Sequence, residues 1–142
     1  MFQLDGKGLI EMKKLALLLP LLWMAAAFSG CSKAPGAPAE IRADRVTITY
    51  GVSSYAMFTQ DETAVQKIAD AFSGLQFEET DREMDVFTAM NVVFQNGDQV
   101  TARFSVDKNG VFTVGNDSAY YRLKSGSFPY EEVYGLYENS RR

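Results

Sequence analysis

The 142-residue sequence contains no histidine and a single cysteine, Cys31. Lacking His, the chain lacks the commonest general base and metal ligand and can build no Ser–His or Cys–His dyad. One cysteine allows no intramolecular disulfide and no Cys-based metal site. Proline is scarce, and the only tryptophan, Trp23, falls early in the chain. No run approaches the roughly 20 apolar residues needed to cross a bilayer. No basic excess exists either. After Cys31 there are 11 Lys and Arg against 16 Asp and Glu. Acidity without a basic, aromatic-interleaved run argues against nucleic acid as a partner.

What is present begins with Met12-Lys13-Lys14, followed by the apolar run Leu15 to Phe28 and then Ser29-Gly30-Cys31. Two lysines before an apolar stretch of about 14 residues have the layout of a secretory signal. Phe28-Ser29-Gly30-Cys31 resembles the bacterial lipobox, in which small residues precede the lipidated Cys; Ser29, Gly30 and Cys31 match, and Phe28 stands where Leu is usual. The resemblance covers residues 12–31. It implies cleavage between Gly30 and Cys31, lipid attachment at Cys31, and a domain anchored to the extracytoplasmic face of a bacterial membrane. Two acyl chains suffice for stable anchoring, at about 0.8 kcal/mol per buried methylene.

Residues 1–11 fit no part of a signal, because Asp5 and Glu11 offset Lys7; Met12 is the expected translation start. Residues 31–40, rich in Ala, Pro and Gly, read as a flexible tether. Residues 41–142 are long enough for one domain and too short for two.

Within that domain the expected class is α+β: an antiparallel meander of four to six strands with one packed helix and a C-terminal helix. Val46, Ile48 and Tyr50 alternate with polar neighbours as in a half-buried strand, and residues 55–59 extend it or pair with it. Thr59 to Glu62 has capping-box spacing. Val65, Ile68, Ala69 and Phe72 share one helical face over residues 63–72, and Gly74 supplies a stop. Leu75 to Phe77 opens a short strand, and residues 78–85 form a charged loop.

Asn96-Gly97 suits a type I′ hairpin between residues 86–95 and 98–106. That turn sets Gln95 opposite Asp98, Val93 opposite Val100, Asn91 opposite Ala102, Ala89 opposite Phe104 and Phe87 opposite Val106. This face is expected to pack on the helix, which leaves Met90, Val92 and Phe94 on the opposite, mixed face. A second turn at Asp107 to Gly110 leads into strands over 111–114 and 119–123. Ser127-Phe128-Pro129 opens a final helix with Tyr130, Val133, Tyr134 and Tyr137 on its apolar side, closing an edge or the second face.

Two candidate constellations follow. Asp81, Glu83 and Asp85 alternate like calcium-loop ligands, yet Val86 and Val92 stand where an EF-hand needs Gly and Glu; no metal or cofactor is implied. Tyr120, Tyr121, Tyr130, Tyr134 and Tyr137 crowd the last quarter and, with Met90, Val92 and Phe94, form the candidate binding surface. Amphipathic tyrosines also serve as core rims. The leading expectation is a non-catalytic binding module of the cell envelope, with an envelope protein as its partner. A small hydrolase using dispersed carboxylates and a structural or inhibitory envelope protein are the alternatives.

Overall fold

A computed structural model describes residues 35–142; the leader, Met12 and Cys31 lie outside the described residues. Seven strands make one antiparallel sheet in the order β2-β1-β4-β5-β6-β7-β3. They are β1 (Arg45–Tyr50), β2 (Ala56–Thr59), β3 (Phe77–Glu79), β4 (Met90–Asn96), β5 (Gln99–Val106), β6 (Phe112–Val114) and β7 (Tyr121–Leu123). Helices α1 (Glu62–Phe72) and α2 (Tyr130–Ser140) complete the fold. The α+β antiparallel class is as expected, but the sheet holds seven strands rather than four to six. The short segments read at residues 55–59 and from Leu75 both form strands, β2 and β3, and they close the two edges of the sheet. α1 connects one edge strand to the other, so a residue pair such as Phe77↔Leu123 joins segments far apart in sequence.

α1 is capped by Asp61, whose Oδ1 accepts from the Ala64 amide at 2.8 Å. Thr59 stands two residues back and accepts from the Asp61 amide at 3.1 Å. The cap therefore falls two residues later than the capping-box spacing suggests. Val65, Ile68, Ala69 and Phe72 are all buried, as their period requires. Phe72 is the hub: its ring lies 4.8 Å from Phe104, 4.7 Å from Phe128 and 5.7 Å from Phe94. Gly74 takes φ +72°, which ends the helix without a Cβ penalty.

The central hairpin departs most from expectation. Asn96 stays in its strand opposite Gln99, and only Gly97 adopts positive φ, +60°. The turn is thus Gly97-Asp98, with glycine leading as in a type II′ turn. Thr101 is then skipped: Gln95 pairs with Val100, but Phe94 pairs with Ala102. A one-residue bulge flips all later side chains to the other face. Val92 consequently faces Phe104 and Met90 faces Val106. Phe104 and Val106 are core residues as expected, but their face carries Met90, Val92 and Phe94 rather than Phe87, Asn91 and Val93.

Both helices lie on that face. Phe72 from α1 and Val133 and Tyr137 from α2 belong to one core with Ile48, Val92 and Phe104. The C-terminal helix thus leaves the second sheet face open. That face shows Thr49, Asn91 and Ser105 in a row, joined by Asn91 Nδ2 to Thr49 Oγ1 (3.3 Å) and Ser105 Oγ to Asn91 Oδ1 (2.6 Å). An antiparallel sheet tolerates one solvated face when its outward residues are polar.

Order also begins earlier than the tether reading allows. Gly36 bridges Gln76, the Ala37 amide donates to the Leu75 carbonyl, and the Gly74 amide donates to Pro38. The stretch 36–38 is therefore docked beside the β3 edge and does not swing free.

Candidate functional site

The tyrosines do not gather as one surface. Tyr121 and Tyr137 are buried, and Tyr120, Tyr130 and Tyr134 are half-buried. Tyr130, Tyr134 and Tyr137 line the inner side of α2, where they meet Tyr50 and Tyr55, which the sequence pattern did not single out. Tyr134 lies 4.8 Å from Tyr50, Tyr137 lies 5.6 Å from Tyr55, and Tyr130 stacks on Tyr134 at 6.1 Å. Their hydroxyls are largely occupied within the fold. Tyr137 donates to the Tyr55 carbonyl, Tyr55 to the Ser140 carbonyl, Tyr134 to Glu138 and Tyr130 to the Thr88 carbonyl. These rings fasten the last helix to β1 and the loops, a packing role that buries ring area while satisfying each polar tip. Burial raises Tyr130 and Tyr134 above the ordinary phenol value.

Tyr120 and Tyr121 sit apart, on β7 and the segment before it. Tyr121 donates to Asp117, a bond that raises the phenol to about 12 and lowers the Asp117 carboxyl. Met90, Val92 and Phe94 are fully buried. The bulge at Thr101 turns them inward, so they are removed from the candidate binding surface. Tyr121 and Tyr137 leave it because both are buried in the core.

A different concavity stands open at the end of the sheet where β5 hands over to β6. It encloses about 340 Å³, at the small end of ligand pockets. Its walls are the β5–β6 turn with Lys108 and Asn109, the start of α2 with Ser127, Phe128 and Tyr130, and Arg122 on β7. Phe112 and Phe128 form an apolar floor, their rings 5.5 Å apart and edge to face.

Asp107 also borders the cleft, but its charge is turned into the protein. The residue is fully buried. One oxygen accepts from the amides of Asn109 and Val111 at 2.9 Å each, and the other accepts from the Asp85 amide at 2.8 Å. Three donors on one carboxylate hold the β5–β6 turn to the loop before β4. The exposed charges of the cleft are thus the cations Lys108 and Arg122, the latter bonded to Glu78 at 2.7 Å.

Comparison with protein-family models, curated proteins and solved structures returns no match. The site therefore rests on its own geometry. Among the described residues no group of three His, Cys, Asp or Glu side chains is placed to hold a metal ion. Asp85, from the alternating acidic run, meets Asp107 through its amide and not as a shared ligand set. No helix of the described residues is long and apolar enough to cross a membrane. The sequence offered one clue to the cleft, the Asp107-Lys108-Asn109-Gly110 turn; the contribution of Ser127, Phe128 and Tyr130 needs the return of the chain to the sheet end and had no local signature.

Proposed function

We propose that the protein is a bacterial envelope lipoprotein, cut after Gly30 and lipidated at Cys31, whose domain is a non-catalytic binding module. The observation that carries the anchor is the succession of Lys13-Lys14, the apolar run and Ser29-Gly30-Cys31. A folded domain that starts at Gly36, directly after this leader, is consistent with it.

The binding site of this module is the cleft between Lys108 and Tyr130. An apolar floor, a rim of two cations, and the side chains of Asn109 and Ser127 suit an anionic ligand with an apolar body. Among the described residues no carboxylate lies within salt-bridge distance of Lys108, and the Asp107 carboxylate is already hydrogen-bonded inside the fold. Metabolic labelling with an alkyne fatty acid tests the anchor. The wild-type chain is expected to take the label and sediment with membranes, whereas Cys31→Ser loses the label and stays with its leader uncleaved. A wild-type chain that takes no label overturns the reading.

A further inference from the structure

The strand register sets Tyr50, Met90, Val106, Phe112 and Tyr121 in one row across five strands. Immediately beyond this row runs a continuous rim of loops. The Gly51 amide donates to the Ala89 carbonyl at 2.9 Å, and a Cβ on Gly51 would meet the Phe87 carbonyl oxygen at 2.5 Å. The turn that carries Val52 is therefore pressed against the loop that carries Val86 and Phe87. Thr88 Oγ1 accepts from the Lys108 amide at 3.2 Å, which joins this loop to the cleft. On the far side of the cleft the Lys124 amide donates to Gln76 at 3.0 Å, and Gln76 bridges Gly36. The rim thus runs from Val52 through Phe87 and Lys108 to Lys124 and the docked stretch at Gly36.

Three of the five large hydrophobic side chains that the domain exposes lie on this rim: Val52 at 80%, Phe87 at 68% and Val86 at 58%. Loop tips are ordinarily polar, and neighbouring exposed apolar side chains mark a contact surface. The opposite end of the sheet exposes Asn96, Asp98 and Asn116, together with Val100 at 49%.

We infer that this rim lies against the membrane to which the protein is anchored. Val52, Val86 and Phe87 enter the headgroup layer, and Lys108 and Lys124 meet lipid phosphates, with the cleft opening onto them. The inference rests on the lipoprotein reading and deepens it, since it names the lipid headgroup as the anion the cleft meets. The chain itself supplies the constraint. Four residues lie between Cys31 and Gly36, and the five steps reach at most about 18 Å at the extended spacing. A docked stretch at the rim, on so short a leash, brings this end of the domain to the lipid surface. Apolar side chains at the interface add affinity through buried area. Glu131 and Glu132, exposed at the start of α2, share this region with the two lysines. The rim is therefore not a polybasic patch, and the contact depends on the apolar trio more than on anionic lipid content.

The test uses the full lipidated chain, reconstituted into phosphatidylethanolamine–phosphatidylglycerol vesicles with and without brominated acyl chains. Because lipid occupies the thiol of Cys31, a cysteine introduced by Val52→Cys, Phe87→Cys or Asn116→Cys is the only site for a bimane label. All three positions are exposed, so circular dichroism should show the fold unchanged. Bimane at positions 52 and 87 is expected to shift to the blue and to be quenched by brominated lipid, while bimane at 116 shows neither effect. The 52 and 87 signals should persist when phosphatidylglycerol is omitted. Equal quenching at all three positions, or none at 52 and 87 in a chain that floats with the vesicles, overturns the apposition and leaves the anchor standing. A chain that does not float, and whose Cys31 thiol reacts with bimane, refutes the anchor and the apposition together.

Discussion

Replacing Asp107 by alanine removes the acceptor that holds three backbone amides in place. Val111 is buried, so its amide is shielded from solvent; Asp85 is half-buried; Asn109 is exposed and its amide can be hydrated. Stranding a buried donor costs about 1–3 kcal/mol. Two such donors set the loss for Asp107→Ala at about 2–6 kcal/mol. Asp107→Asn keeps the volume and one acceptor oxygen. Oriented to keep the Asn109 and Val111 amides, it turns its NH2 group toward the Asp85 amide and should lose about 1–3 kcal/mol. Urea denaturation followed by far-ultraviolet circular dichroism measures both, and the slope with denaturant should stay unchanged while the midpoint falls. The ranking, wild type above Asn above Ala, is part of the prediction. If Asp107→Ala lay within about 0.5 kcal/mol of wild type, the range of ordinary surface substitutions, the carboxylate would not be the fastener described here.

Phe72→Ala empties the contact point of three aromatic rings and should cost about 3–5 kcal/mol in the same assay. Gly51→Ala places a Cβ against the Phe87 carbonyl at a positive φ, so it should destabilise by more than the roughly 1–2 kcal/mol of left-handed strain alone; a neutral result would contradict the close approach. The Tyr121–Asp117 pair gives two pH dependences. The raised phenol favours folding below the unfolded value near 10, and that contribution is lost as pH rises toward about 12. The lowered Asp117 carboxyl contributes above the ordinary carboxylate range, and that contribution is lost as pH falls through its folded value. Tyr121→Phe should flatten both limbs of a stability–pH profile, and an unchanged profile would dismiss the pair.

Local elements were legible where one residue type settles one conformation. The face of α1, the turn at Asp107 to Gly110 and the apolar side of α2 are all read from period and turn chemistry. The faces of the central hairpin were not. Met90, Val92 and Phe94 on one strand and Phe104 and Val106 on the other are each evident as apolar alternations, but only the skipped Thr101 brings both sets to one side. Nothing about Thr101 itself marks a bulge; the signal is the mismatch between the two alternations when a regular ladder is drawn. The partner of β3 was hidden for another reason. β3 is three residues long and pairs with β7 across more than 40 positions, so no local pattern announces the partnership. The tyrosines were visible as residues and misplaced as a surface, since their partners Tyr50 and Tyr55 lie about 80 residues upstream. The cleft and the apolar rim are products of loops converging at one sheet end. Val52, Val86 and Phe87 carry no shared sequence signature.

The central claim, that Cys31 is where the working protein begins and where it meets the membrane, is tested most directly by mass spectrometry of the protein extracted from bacterial membranes. The expected N-terminal peptide starts at Cys31 and carries the mass of a thioether-linked diacylglyceryl group. A peptide that starts upstream of Cys31, or one that contains Cys31 as a free thiol, would contradict the account.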